Sequence, residues 1–150
     1  MFFQKRLKKS EENGTKNIQK NKYLDELGIP VNEYGVNFMD ENDPRQGKWA
    51  KERKEYGFDE RETWVMDRIF AEWLYSHLKM YIDVCNVDLS YYKFNFDGEE
   101  YTQGEAIDFI LERCVDYLKA EAWSDEEEKV IEGMYDACRM WAEIFPAMWW

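Results

Sequence analysis

The sequence predicts a mainly helical, α+β domain: three amphipathic helices around one core, with a small β-hairpin between the first and second. Three observations carry that expectation. Apolar residues recur at helical spacing over three long stretches. A capping pair stands ahead of each stretch. The dipeptide Asp97-Gly98 stands between the alternating aromatics of residues 91–96 and Glu99-Glu100-Tyr101-Thr102, the strongest short-range hairpin signal.

The first helix is expected to open at Asp59, with Glu62 three residues on and Phe58 before it. Met66, Ile69, Phe70, Trp73, Leu74, Leu78, Tyr81 and Cys85 then fall on one apolar face. Arg68, Glu72, Lys79 and Asp83 lie opposite, as two i,i+4 pairs. The hairpin is expected at residues 91–102, because an Asp-Gly turn supplies positive φ at both central positions. Thr102 with Glu105 makes a second cap, before a helix that buries Ile107, Ile110, Leu111, Cys114 and Leu118. Ser124 with Glu127 makes a third cap. Its helix buries Val130, Met134, Ala137, Cys138, Trp141 and Phe145, and Pro146 ends it.

This helical domain is placed at residues 57–150. Ahead of it, residues 1–22 carry seven basic and two acidic side chains and few apolar anchors, so they read as a basic mobile tail. Residues 23–56 read as an extended or irregular arm packing on the domain. A short helical turn from Tyr23 to Leu27 stops at Gly28 and Pro30, and a stretch punctuated by Gly, Asn, Asp and Pro follows from Asn32 to Gly47. Tyr34, Val36, Phe38, Met39 and Trp49 are its apolar anchors.

The chain has 150 residues, 45% of them hydrophobic and 17% aromatic, which suffices for one core and excludes wholesale disorder. No apolar run reaches the ~18–20 residues a membrane span needs. The basic start has no apolar stretch behind it, so no secretory signal is expected. Three widely spaced cysteines argue against a disulfide framework and for a reducing cytoplasm. A formal net charge of −12 argues against a general binder of nucleic acid or anionic membrane. That charge is uneven: the first 22 residues hold a net of +5, which leaves −17 for the rest.

No standard catalytic motif is present, and no catalytic residue or cofactor is assigned. The single histidine, His77, falls within the first helix's apolar stripe and reads as a core histidine donating to a carbonyl or a tyrosine. A small-ligand pocket around His77 and Tyr81 is the other use for it. Cys85, Cys114, Cys138 and His77 are chemically able to bind zinc, yet each cysteine stands alone, as small buried hydrophobes do, and no metal is expected.

The acids sort further. Asp125 to Glu128 sit where a helix dipole favours negative charge. On the second helix, however, Asp108, Glu112 and Asp116 repeat at i,i+4 with Glu105 beside them, a spacing that repels. Glu99 and Glu100 of the hairpin can extend the same surface. Carboxylates one turn apart stand about 6 Å apart along the axis. Such a row is either a solvated face or a surface that occupies a basic groove, imitating a nucleic-acid backbone. Among the seven tryptophans, Trp64, Trp73 and Trp141 are assigned to the core. Trp149 and Trp150 either close the core or serve as an interface anchor, through which the chain would oligomerise as an assembly protein. Lys5, Arg6, Lys8 and Lys9 offer at most a weak contact to nucleic acid, or fold against the acidic face.

Residues 57–64 (GFDERETW), 70–75 (FAEWLY) and 78–81 (LKMY), with Lys93-Phe94, Gly98, Tyr101-Thr102 and Glu105-Ala106-Ile107-Asp108, form a recurrent pattern. Across residues 48–118 the chain resembles small acidic proteins of bacteriophages and prophages from Firmicutes-type hosts. The resemblance carries over no catalytic residue. It implies a non-enzymatic accessory protein, cytoplasmic in an infected or lysogenic bacterium. Its partner would be a host protein with a basic groove, such as a nucleic-acid enzyme or a nuclease of anti-phage defence.

Overall fold

A computed structural model of the chain describes residues 21–29, 42–121 and 124–149. The expectations for residues 1–20, for Tyr34 to Met39 and for Trp150 lie outside the described residues. The protein is mainly helical, with one two-stranded antiparallel sheet among the described residues. Five α-helices are described, not three. The described residues form two compact units, one running to Ile69 and the other starting at Phe70.

The first unit contains α1 (Lys22–Glu26), α2 (Gln46–Tyr56) and a 3₁₀ turn at Glu60–Thr63. Asn21 caps α1 by accepting from the Leu24 N–H, and Gly28 beyond it takes a positive φ of 71°. Helix α2 lies where the sequence predicts an irregular arm. Lys, Arg and Glu fill it and Trp49 is its one buried residue, so no apolar period announces it. Gly57 closes it in the left-handed conformation with φ 84°, its N–H bonded to the Arg53 carbonyl.

Asp59 does not form the expected capping box. Its carboxylate accepts from the Arg61 backbone N–H, from Arg61 Nε at 2.8 Å and from Arg61 Nη2 at 2.8 Å. Both side chains are fully buried, and the Arg61 guanidinium lies 4.0 Å from the centre of the Trp49 ring. Glu62, cast as the other half of the box, accepts from Arg53 at 2.7 Å instead. Glu60 takes the Trp49 Nε1–H at 2.8 Å and pairs with Lys48. Burial alone would raise the Asp59 carboxyl; the hydrogen bonds from Arg61 and the charges of Arg61 and Arg53 outweigh it and hold the group below its ordinary range.

The chain then enters α3 (Met66–Val84), which runs into the second unit. There β1 (Lys93–Phe96) pairs with β2 (Glu99–Thr102), Phe96 opposite Glu99 and Phe94 opposite Tyr101. Asp97 and Gly98 have φ of 50° and 85°, as the hairpin expectation requires. Next come α4 (Gln103–Lys119) and α5 (Glu127–Ile144), followed by a 3₁₀ turn at Phe145–Ala147. Helices α4 and α5 pack on one another, and the hairpin lies on both. Ala106, Ile107, Ile110, Cys114 and Leu118 of α4 meet the buried Met134, Ala137, Met140 and Ile144 of α5 in a core without charge. Phe96, Tyr101 and Phe109 make a triangle of edge-on rings that seats the hairpin.

Two capping expectations part here. Thr102 and Glu105 form the full reciprocal box at the start of α4. Ser124 does not cap α5; the helix starts at Glu127 behind Glu126, with no side-chain cap bond. Phe145, expected in the core, is exposed, and Met140 and Ile144 take that role.

Candidate partner-binding surfaces

Asp108, Glu112 and Asp116 lie along the exposed face of α4. None of the three side chains makes a hydrogen bond or ion pair among the described residues. Lys119 is exposed one turn beyond and does not bridge to Asp116. The ladder is therefore a row of carboxylates without ion pairs along α4, its position set by Ile107, Ile110, Leu111 and Cys114 buried behind it. Glu112 and Asp116 also edge an open hollow of about 810 Å³, where Arg113, Lys119 and Lys129 intermix positive charge.

The other predicted acidic residues have local work. Glu105 accepts the Thr102 backbone N–H at 2.7 Å, and its bonds to Thr102 hold its carboxyl below the usual range. Glu99 accepts the Tyr101 hydroxyl at 3.1 Å. Glu100 is exposed opposite Asn95, without a partner among the described residues. So the structure brings Asp108, Glu112 and Asp116 together, and ties Glu105 and Glu99 into the fold.

Aromatic residues of the second unit make a second surface, although Trp73 and Trp141, like Trp64 of the first unit, were expected in the core. Trp64 and Trp73 are both half-exposed. The Trp73 ring stacks on His77 at 4.4 Å and near Phe70 at 6.3 Å, and meets Trp141 edge-on at 6.4 Å. Trp141 in turn meets Phe145 at 5.8 Å. His77 is exposed and not a core histidine, although its Nδ1 does donate to a carbonyl, that of Trp73, at 2.7 Å. Trp149 is exposed, its carbonyl accepting from the Tyr81 hydroxyl at 3.4 Å. The buried Gln103 amide reaches Tyr81 Oη at 3.3 Å and the Ala147 carbonyl at 3.2 Å, fastening the segment that carries Trp149.

The apolar residues of α3 serve two faces, not the single face their spacing suggests. Ala71, Leu74 and Leu78 are buried, together with Tyr75, Glu72 and Ser76, while Trp73 and Met80 face out. Ser76 is accommodated by donating to the Glu72 carbonyl at 2.7 Å.

The three thiols are free. Burial pushes the Cys114 thiol up to about 12, with Cys138 beside it adding to the rise. No group of three or more His, Cys, Asp or Glu side chains among the described residues is placed to hold a metal ion. No described helix is long and apolar enough to cross a membrane. No protein-family model, curated protein or solved structure matches the chain.

Proposed function

We propose that the protein acts by binding and not by catalysis, as a phage-type accessory protein. Its acidic face, centred on Asp108, Glu112 and Asp116, occupies a basic groove of a host nucleic-acid or defence enzyme in the bacterial cytoplasm. The observation that carries this reading is the ladder without ion pairs: three exposed carboxylates at i,i+4, in a spacing that disfavours the helix by ~0.2–0.5 kcal/mol per pair. Charge kept at a local cost on a well-packed helix suits a partner that supplies the missing cations. Such an interface releases the counterions of a basic groove and weakens steeply with salt.

The test is charge reversal, Asp108→Lys with Glu112→Lys, in the full chain. Host lysate is passed over immobilised protein and eluted with a salt gradient. The original chain should retain basic proteins that elute with salt, and the variant should lose them. Retention by the variant with the same salt dependence would sink the reading.

A further inference from the structure

We infer that the outer edge of β1 is a docking site for a third strand, an extended segment of a partner protein that places a carboxylate opposite Lys93. The inference is independent of the acidic face of α4. A two-residue turn fixes the ladder: its closing pair, Phe96 and Glu99, exchanges both backbone bonds, and bonded and unbonded pairs alternate from there. Phe94 and Tyr101 are the next bonded pair, and the Tyr92 carbonyl accepts the Gln103 N–H beyond them. The N–H and C=O groups of Lys93 and Asn95 therefore point away from β2. None of these four groups has a partner among the described residues.

The two edges of the hairpin are not alike. On β2 the Thr102 N–H is taken by Glu105 at 2.7 Å and the Thr102 carbonyl opens α4, so the helix itself ends that edge. On β1 the ladder stays open at both outward residues, and Lys93 and Asn95 are exposed. Beneath the hairpin, β2 packs on α4 and β1 on both helices. Packed helices lie about 8–10 Å apart and strands about 4.8 Å, so a helix pair floors about three strands, of which the hairpin supplies two. The third position is beside β1, above α5.

Charge and shape select the occupant. Lys93 is the only cation between Asp83 and Glu112, and it makes no hydrogen bond or ion pair among the described residues. A lysine on an edge strand discourages indiscriminate pairing. A carboxylate across from it turns that guard into a contact. Opposite Asn95, a lysine of the incoming strand would stand two strand spacings from the exposed Glu100, near enough for the two long side chains to meet. On the other face the incoming strand needs an apolar residue, to cover the half-buried Phe94 and Tyr92, which is 45% exposed. A second copy of this chain does not fit, because it would bring its own α5 under its β1, into the space that this α5 fills.

The test is NMR of the isotope-labelled full chain, titrated to millimolar concentration with the peptide acetyl-Thr-Val-Lys-Val-Glu-Val-Thr-amide. In antiparallel register that peptide sets its lysine opposite Asn95 and its glutamate opposite Lys93. The Lys93 and Asn95 amides should show the largest shifts, and their hydrogen exchange should slow. A control peptide with lysine in place of the glutamate should bind about fivefold more weakly, and Lys93→Glu should reverse that order. Asn95→Pro should abolish binding while the hairpin's own resonances persist, since the Asn95 N–H makes no ladder bond. If that variant fails to fold, Lys93→Glu, at an exposed position, still decides. Silent Lys93 and Asn95 amides, a response centred on α4, equal binding of the two peptides, or unchanged binding by a folded Asn95→Pro chain would each overturn the inference.

Discussion

The interiors of the two units differ in chemistry. In the first, the most deeply buried groups around Trp49 are ionic: Asp59 and Arg61 meet as a bidentate pair, and Arg53, Glu60, Glu62 and Lys48 surround them. In the second, α4 and α5 meet through Ala106, Ile107, Ile110, Met134, Ala137 and Met140. An apolar core tolerates the loss of one contact in proportion to the volume removed. A buried ion pair has no such gradation, because either partner left alone is a desolvated charge.

The sharpest way to break this contrast is Arg61→Ala. It takes the bidentate partner from the buried Asp59 carboxylate, leaves it only Arg53 at 3.2 Å, and should cost about 3–5 kcal/mol of local stability. Hydrogen exchange followed by mass spectrometry should show protection lost over residues 46–63 and kept over 103–144. Equal loss in both stretches would mean that the contrast is only apparent. Acid should do more gradually what this substitution does. The Asp59 and Glu60 carboxyls are held below their ordinary values by Arg61 and by Lys48, respectively. A carboxyl lowered by folding adds stability that is complete above its unfolded value and is lost as pH falls through its folded one. Exchange in residues 46–63 should therefore accelerate as pH falls below about 4, before α4 and α5 respond. If α4 opened first, the ionic description of the first unit would be wrong.

The smallest effect tests the second unit. Thr102→Ala removes half of the reciprocal box on α4 and should cost about 1 kcal/mol, within the usual ~0.5–2 range for caps. Chemical denaturation monitored by circular dichroism would measure it. A much larger cost would show that the hairpin and α4 depend on Thr102 beyond its cap.

The same contrast explains what the sequence revealed. The hairpin turn and the Thr102–Glu105 box were legible because they depend on residues adjacent or three apart whose chemistry has few other uses. The packing of α4 was legible as well, since Ile107, Ile110, Cys114 and Leu118 serve one face only. The Asp59–Arg61 pair left no periodic trace, and α2 hid behind its charges with Trp49 as its single anchor. On α3, hydrophobicity marked exposed and buried positions alike, so their spacing merged the two and put Glu72, which is buried, on the opposite face. Of the candidate site, Asp108, Glu112 and Asp116 were legible as unexplained repulsion, whereas the aromatic surface was mistaken for core.

Cys114 turns its own burial into a native clock. With its thiol pushed up to about 12, almost none of it is thiolate at neutral pH, and no reagent reaches it while α4 and α5 stay closed. Alkylation of Cys114 therefore counts how often that helix pair opens. Cys85 and Cys138, both half-buried, mark the faster background on the same chain, so the breathing of the second unit can be timed without adding a probe.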